Sequence, residues 1–415
     1  MTEINAGITC MTETENAGNA MHRVLHILGG TDLGGAESRI MDLYRNMDRK
    51  AVQFDFLVHM DAEAYEAAVK AGKDPAEVRK PQFYDSEIHA LGGSIYVLPR
   101  FRGSNYMQYR RACREFFAEH HDYTVAEGHM TSTASIYLPI AKSAGIKVTA
   151  AHARSAGTDA GFKGTVTRIL RSSLWRKSDV LFACSGMAGQ STFGAHPAYY
   201  IPNAINIERF RYDSGGAEDI RRELGAEGMK VIGHVGRFHY AKNHEYLLEI
   251  FREIHTRDKN TVLLLLGDGP LMDSVKEKAC SLGLEDSVRF TGNIADPAPY
   301  YSVMDFFLFP SRYEGLPGTV VEALCSGLPC LISDTIANEV VCTPYIRTMS
   351  IEHEPAAWAE EVLSVLGGDY RAQRNINAMS AAGLMRAAGF DAAALAATMQ
   401  GFYSTGNISN LKRIG

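Results

Sequence analysis

Residues 309–324 read FPSRYEGLPGTVVEAL and carry a loop that joins the end of an apolar strand to the start of a helix. Pro317 suits the first turn of a helix, and Gly315 and Gly318 leave backbone amides bare beside Glu314. Glu314 therefore lies in the loop, whereas Glu322 lies about one turn inside the helix. Two carboxylates placed in this way could act as acid and base on a sugar, cradle a diphosphate and hydroxyl groups, or be surface charge.

Short apolar runs alternate with longer amphipathic segments such as 37–47 and 106–119, a rhythm that indicates parallel sheets covered by helices. The rhythm pauses at residues 199–213, YYIPNAINIERFRYD, where Pro202 breaks any helix and no long periodic element follows. It restarts with VIGHVGR, which indicates a second α/β domain. Near the end of the chain, Leu395, Met399 and Phe402 form an apolar stripe at helical spacing that must pack on another element. The predicted units are a weakly ordered leader at 1–20, a first domain at 21–204, a second domain at 205–389, and a tail helix at 390–404.

The composition excludes several classes of protein. The 415 residues include 42 basic and 48 acidic side chains, a net charge of −6, which argues against a protein whose main task is to neutralise nucleic-acid phosphates. Seven cysteines without CxxC spacing argue against a disulfide scaffold and a structural zinc site. No apolar run approaches the ~20 residues that cross a bilayer, and residues 1–20 lack the pattern of a secretory signal. We therefore expect a cytoplasmic protein with reduced thiols.

The first predicted strand ends in a glycine-rich loop, GGTDLGGAE at residues 29–37, which includes Gly34 and Gly35. Doubly wound sheets bind ligands at the carboxyl ends of their strands. The helix that follows this loop would offer free N–H groups to a phosphate or another anion. The same pattern also fits a turn that merely joins a strand to a helix.

Two strands of the second half end in comparable loops. GRFHYAKN, at residues 236–243, places Arg237 and Lys242 five positions apart, where a planar fork and a point charge could hold a diphosphate. LGDGPL, at residues 266–271, contributes Gly267 and Gly269, which let the backbone come close to a bound group. Taken alone, each loop also fits solvated surface or a simple turn.

The second half closely resembles glycosyltransferase family 4, the retaining nucleotide-sugar transferases with the two-domain GT-B fold. The resemblance rests on GRFHYAKN, LLGDGP, FTGN and YYSVMDFFLFPSRYEGLPGTVVEALCSGLPCLIS, and in the first half on GGAE, ACSGMAGQSTFG and IPNAINIERF. It spans nearly all of residues 21–403, and the first-half segments look most like the branch that builds bacterial exopolysaccharide and capsule. It implies an α/β fold of two Rossmann-like doubly wound domains facing across a cleft, with the tail helix packed back on the first domain.

The resemblance also implies roles for single residues. Residues matching Arg237 and Lys242 hold the donor diphosphate, Glu314 meets the hydroxyl groups of the donor sugar, and Glu322 holds the ribose. His129, in EGHMTS, would lie near the reacting carbon. The implied catalytic set is His129, Arg237, Lys242 and Glu314. The implied donor-binding set is Gly34, Gly35, Arg237, Lys242, Gly267, Gly269, Glu314, Gly315, Leu316, Gly318, Thr319 and Glu322.

The implied reaction transfers a sugar, with retention, from a nucleotide-diphosphate sugar to a hydroxyl of a saccharide or a polyprenyl-diphosphate-linked saccharide. UDP is the family's commonest carrier. Two cations and helix N-termini would stabilise the leaving diphosphate, so no metal and no other cofactor is expected, which agrees with the lack of an Asp-x-Asp pair at a strand end. The sequence departs from the branch at AHARSA, residues 151–156, where HSHN is frequent: His152 matches, but the polar positions after it do not. This departure concerns the acceptor.

Other interpretations stay open from the residues alone. Glu314 and Glu322 could be the paired carboxylates of a glycosidase, or the chain could be a nucleotide-sugar epimerase or a non-catalytic nucleotide-sugar-binding protein. Two stretches without acidic residues, 99–114 and 161–177, carry arginines and lysines among apolar side chains. They are either solvated helix faces or a surface that contacts anionic lipid on the inner face of the cytoplasmic membrane.

Overall fold

The computed structural model describes residues 21–157 and 161–414, so the predicted leader at residues 1–20 lies outside the described residues. Within these ranges the strands are β1 (His22–Ile27), β2 (Val52–Met60), β3 (Ile95–Pro99), β4 (Val125–Gly128), β5 (Val148–Ala153), β6 (Val180–Ala183), β7 (Ala198–Tyr200), β8 (Lys230–Val235), β9 (Thr261–Leu266), β10 (Val288–Gly292), β11 (Phe306–Phe309), β12 (Cys330–Ser333), β13 (Ile346–Met349) and β14 (Arg413–Ile414).

The helices of the described ranges are α1 (Gly35–Arg45), α2 (Ala62–Lys70), α3 (Pro75–Val78), α4 (Asp85–Ala90), α5 (Tyr106–Glu119), α6 (Thr131–Ser143), α7 (Gly161–Ser172), α8 (Gly186–Phe193), α9 (Ser214–Glu223), α10 (His244–Arg257), α11 (Met272–Ser281), α12 (Ala298–Val303), α13 (Gly318–Cys325), α14 (Pro355–Leu366), α15 (Tyr370–Ala387) and α16 (Ala392–Thr405).

Two sheets organise the protein, and both have the doubly wound order. The first sheet runs β14-β7-β6-β5-β4-β1-β2-β3, with β14 antiparallel to β7 and the other pairs parallel. The second runs β10-β9-β8-β11-β12-β13 and its pairs are parallel. The strand order reverses between β1 and β4 in the first sheet and between β8 and β11 in the second. Such reversal points are where open α/β sheets bind their ligands.

The inner strands are buried along most of their length because helices cover both faces of each sheet. This explains why β9, TVLLLL, reads as a continuous apolar run in the sequence rather than as an alternation. On the second sheet, α10 and α14 pack together around Trp358, which is fully buried. The apolar runs of the sequence therefore became strands because only a position between two helical layers removes them from water.

The tail helix α16 packs on the first domain, as predicted. Met399, Phe402 and Tyr403 are buried in one cluster with Val24 and Phe54 of the first sheet. The chain thus crosses between the domains twice, and the two crossings are hydrogen-bonded to each other. Ile205 N donates to Phe390 O at 2.9 Å, and Ala392 N donates to Ile205 O at 2.9 Å.

The region around residues 199–213 differs from the sequence-based prediction. Strand β7 ends inside it, and α9 begins directly after it, so the expectation that no long periodic element follows is wrong. Helix α9 starts because Asp213 caps it, with Oδ1 accepting from Gly215 N at 2.9 Å. The paired glycines 215 and 216 in its first turn conceal the helix in the sequence, and a strand of three residues is too short to show a period.

Candidate functional site

A cleft of about 800 Å³ lies between the carboxyl edges of the two sheets. Loops from both domains line it, and they include the two strand-order reversal points. Of the residues predicted from the sequence, the lining contains Gly34, Gly35, Arg237, Lys242, Gly267, Gly269, Glu314, Leu316, Gly318, Thr319 and Glu322. The predicted residues that do not line the cleft within the described part of the chain are Gly315 and His129.

Lys242 and Glu314 form an ion pair at the second reversal point. Lys242 Nζ lies 2.7 Å from Glu314 Oε1, and both side chains are largely shielded from solvent. The ammonium also lies 4.5 Å from the centre of the Phe309 ring, whose π face attracts a cation. A low local dielectric strengthens these interactions. The pair therefore places a fixed ammonium group beside a carboxylate that can accept hydrogen bonds from hydroxyl groups.

Helix α13 directs its N-terminus at the same part of the cleft. It begins at Gly318 after Pro317, and no described side chain caps it. The hydroxyl oxygen of Thr319 is buried and has no hydrogen-bond partner among the described residues. Across the cleft, α1 begins at Gly35 after Gly34 and also has no side-chain cap from the described residues. The first turn of α1 carries the Glu37 carboxylate next to Gly34, so of these two N-termini it is that of α13 that favours an anionic ligand.

Gly267 and Gly269 allow their loop to pack closely against a neighbouring loop of the cleft. Gly267 has φ 132°, and a Cβ atom on it would collide with the carbonyl oxygen of Gly236. A Cβ on Gly269 would lie 2.5 Å from the carbonyl oxygen of Phe238. The loop after β9 therefore packs directly on the loop after β8, which carries Arg237. Arg237 itself is exposed in the cleft, so the glycines support the loop that presents this guanidinium.

Glu322 is buried and contacts the first domain as well as its own. Its Oε1 accepts from Arg39 Nη2 of α1 at 2.7 Å, and its Oε2 accepts from the Tyr301 hydroxyl at 2.7 Å. Burial raises the pKa of Glu322, and the Arg39 guanidinium opposes that shift. A Cβ on Gly318 would lie 3.9 Å from the Arg39 guanidinium, so Arg39 lies over the first turn of α13. An ion pair between the domains therefore lies at the floor of the cleft.

His129 lies behind the cleft, in a buried polar cluster of the first domain. Its side chain is 2% exposed. Arg154 Nε donates to His129 Nδ1 at 3.0 Å, which leaves the proton of the imidazole on Nε2. Nε2 then donates to His26 Nδ1 at 3.1 Å. Burial and the Arg154 charge lower the pKa of His129 well below its usual value.

The rest of this cluster is joined to the tail helix. Glu127 Oε1 accepts from His152 Nδ1 at 2.7 Å and Oε2 accepts from the Tyr403 hydroxyl at 2.7 Å. Burial opposes ionisation of Glu127, but the hydrogen bond from His152 holds its pKa well below the usual value. Ligand atoms of His26, Glu127 and His129 lie within 4.8 Å of one another. The protonated Nε2 of His129 nevertheless offers no lone pair to a metal ion.

Further hydrogen bonds join the first domain to the loop that carries Glu314. Asn203 Nδ2 donates to Leu316 O at 2.6 Å, and Ser185 Oγ donates to Gly315 O at 3.0 Å. A Cβ on Gly315 would lie 2.6 Å from Arg154 O, so Gly315 allows the two backbones to touch rather than contacting a ligand. The sequence alone does not single out Arg39, Arg154, Asn203 or Ser185 as site residues. Position after a strand was a usable signal for Arg154, whereas Arg39 is one arginine among many on an amphipathic helix.

Comparisons with known proteins agree with this architecture. The family model described as glycosyl transferases group 1 matches residues 229–367. The putative glycosyltransferase EpsF of Bacillus subtilis is 31% identical over 388 residues, which are 87% of this chain and 96% of EpsF. The capsular polysaccharide biosynthesis glycosyltransferase CapH of Staphylococcus aureus is 23% identical over 362 residues, covering 83% of this chain and 91% of CapH.

A solved structure shares the whole fold. HepE of Anabaena, crystallised with UDP and glucose, superposes with a TM-score of 0.72 at 16% identity, covering 92% of this chain and 99% of HepE. At that identity the likeness shows the two-domain GT-B architecture. The chain therefore belongs to the group 1 glycosyltransferases with the GT-B fold, as the motifs around Glu314 and Glu322 predict, and to the exopolysaccharide and capsule branch that includes EpsF and CapH, as the first-half segments predict.

Proposed function

We propose that this glycosyltransferase moves a sugar from a nucleotide-diphosphate sugar, with UDP as the carrier, to a hydroxyl of a saccharide or a polyprenyl-diphosphate-linked saccharide. The anomeric configuration is retained, and no metal ion is required. The product enters cell-surface glycan. The observation that carries the proposal is the convergence of Arg237, the Lys242–Glu314 pair and the uncapped start of α13 on one side of a cleft between two domains.

The chemistry follows from these charges. Breaking the bond between the sugar and the diphosphate leaves negative charge on phosphate oxygens. Arg237, Lys242 and the N–H groups of α13 would stabilise that charge, so protein groups supply what a divalent cation would otherwise provide. Glu314, held by Lys242 at 2.7 Å, would accept hydrogen bonds from the sugar. That HepE was crystallised with UDP and glucose supports the choice of carrier.

The first test identifies the donor and then the stereochemistry. A panel of nucleotide sugars should include one that raises the melting temperature, because a ligand of the folded state stabilises it by RT ln(1 + [L]/Kd), about 2.7 kcal/mol at 100 times Kd. With that donor, in buffer containing EDTA, proton NMR of the transferred sugar should show the anomeric configuration of the donor. An inverted linkage, or activity that EDTA abolishes, would contradict the proposal. Release of nucleoside diphosphate without any acceptor would favour an epimerase.

A peripheral membrane surface on the first domain is a second part of the proposal. Helix α5 presents Met107, Arg110, Arg111 and Arg114 around one shallow groove, and Met107 is 71% exposed. Arg111 pairs with Glu115 on the following turn, so part of the charge is compensated. Helix α6 lies between α5 and α7, and contacts both. Among the described residues no helix is long and apolar enough to cross a bilayer.

We expect vesicles that contain phosphatidylglycerol to bind the protein, and the triple variant R110Q/R111Q/R114Q to bind them about 100-fold more weakly, at about 1 kcal/mol for each basic residue. Co-sedimentation at low and high salt measures the effect. The control variant R252Q/R257Q/K259Q removes the same charge from exposed positions on the second domain, in the last turns of α10 and in the turn that follows it. Binding that does not respond to salt, anionic lipid or the α5 substitutions would remove the membrane surface from the proposal.

A further inference from the structure

Arg154 occupies the position in which the sequence predicted His129. It follows β5 directly, at the carboxyl edge of the first sheet, and it lines the cleft. His129 stands behind it and does not line the cleft within the described residues. Of these two side chains, Arg154 is therefore the one that can donate a hydrogen bond to a substrate in the cleft.

The Arg154 guanidinium is fixed by two hydrogen bonds that leave one nitrogen available. Nε donates to His129 Nδ1 at 3.0 Å, and Nη1 donates to Asn203 Oδ1 at 3.0 Å. Nη2 makes no hydrogen bond to any described residue, and it is not among the buried atoms without a partner. It is thus the nitrogen open to the cleft. Because the guanidinium is planar and two of its nitrogens are held by hydrogen bonds, the direction of Nη2 is fixed.

The charge of Arg154 also lacks a direct partner. Nothing in residues 21–157 or 161–414 forms an ion pair with it, although two carboxylates attract its charge at longer range: Glu127, which lies behind His129, and Glu37, which lines the same cleft. Burial lowers the pKa of Arg154, the effect of a cation removed from water without full compensation. A half-buried guanidinium of this kind is stabilised by an anion that arrives with a ligand.

Arg154 faces the loop that carries Glu314. Its carbonyl oxygen touches Gly315, and its partner Asn203 holds the carbonyl oxygen of Leu316. The start of α13 follows that loop, where the proposed function places the diphosphate. A positive charge next to the anomeric carbon would oppose the positive charge that develops there, whereas the same charge next to a phosphate oxygen stabilises the leaving group.

We propose that Arg154 is a catalytic residue of the first domain whose Nη2 donates a hydrogen bond to the donor diphosphate, with His129 and Asn203 as positioning residues. This inference rests on the proposed function. During transfer the bond from the sugar C1 to the phosphate oxygen breaks and its electron pair passes to the phosphate, where Arg154 stabilises it. The acceptor oxygen bonds to C1, and its proton passes to the departing phosphate oxygen, so no further reactant is needed.

Calorimetric titration with uridine diphosphate and with uridine tests the contact. R154Q should bind uridine diphosphate about 10- to 100-fold more weakly, the range for a hydrogen bond to a charged group, with uridine binding unchanged. R154K should fall between, since it keeps the charge without the fork. R49Q, an exposed arginine of the same domain, serves as the control. If R154Q does not fold, the loss in R154K decides the question.

The positioning role is tested by a double-mutant cycle. H129A should weaken uridine diphosphate binding in the native background and have no further effect in R154K, because both changes remove the same oriented contact. Additive losses would overturn the role of His129. Uridine diphosphate binding as tight in R154Q and R154K as in the unaltered protein would overturn the role of Arg154. If the unaltered protein binds neither uridine diphosphate nor any other nucleoside diphosphate, the proposed function itself fails.

Discussion

Replacing Lys242 with methionine is expected to lower kcat by about 100- to 1,000-fold, the usual cost of removing one donor that stabilises charge in a transition state. Methionine keeps the unbranched side chain beside the Phe309 ring but removes the ammonium that lies 2.7 Å from Glu314. The variant loses a charge for the leaving diphosphate and releases Glu314 from its fixed position. Steady-state kinetics with the donor found in the nucleotide-sugar panel measures the change.

The control for this experiment is K278M. Lys278 belongs to the same domain and pairs with Glu249 on the surface at 3.1 Å, outside the residues that line the cleft. K278M should keep its melting temperature near that of the unaltered protein, because surface pairs contribute about 1 kcal/mol or less. K242M leaves the largely shielded Glu314 carboxylate without its partner and should melt at a lower temperature, so the kinetics are measured at a temperature where both variants are folded. Turnover by K242M close to that of K278M would show that the Lys242 charge has no part in the reaction.

The second large expected effect is a loss of folding stability at acidic pH. Burial lowers the pKa of a group of histidines in the described residues, in each case below the usual value of 6.5: His26, His59 and His152 to about 4, His244 to about 3, and His129 and His234 well below it. In the unfolded chain these side chains take up protons as the pH falls below 6.5, whereas in the folded chain they stay neutral until the pH is much lower. Unfolding therefore takes up protons, and the free energy of unfolding falls as the pH drops from 6.5 towards 4.

Each of these histidines that stays neutral in the folded chain should cost about 2 kcal/mol of stability at pH 5, so a few of them together remove a large part of the about 5–15 kcal/mol that is typical of a protein. We expect the urea midpoint to be nearly constant from pH 8 to pH 7 and to collapse between pH 6.5 and pH 5. Replacing buried His234 with glutamine should make this slope shallower by one proton, whereas H121Q, at an exposed position, should leave it unchanged. A midpoint that stays level to pH 5 would contradict the prediction.

The sequence predicted those features that depend on neighbours along the chain. Helix α5 was predicted at 106–119 and has those bounds, because its apolar stripe and polar face alternate at helical spacing. The Lys242–Glu314 meeting point was also foreseeable, since both residues follow strands that flank a reversal of strand order. The common cause is that residues at the carboxyl ends of adjacent parallel strands meet wherever they lie in the sequence.

Features that depend on contacts between side chains far apart in the sequence could not be predicted in this way. His129 follows a strand, as a cleft residue should, but Arg154 follows the next strand, 25 residues later, and its side chain covers His129. The partner of Glu322 is Arg39, 283 residues away on the other domain. The sequence also left open whether Gly267 and Gly269 form a simple turn, because their close approach to the backbone of Gly236 and Phe238 is visible only in the packed structure. Only the packed structure determines which of these groups reaches the cleft.

The position of helix α16 has a consequence for biosynthesis. When the first 204 residues have been synthesised, the apolar surface around Val24 and Phe54 is still exposed. The side chains that cover it, Met399, Phe402 and Tyr403, have not yet been translated. The nascent first half must therefore wait, vulnerable to proteases and to chaperone capture, until the last segment emerges from the exit tunnel. A stop codon between codons 323 and 391 would leave this half incomplete, even though it spares every residue that lines the cleft.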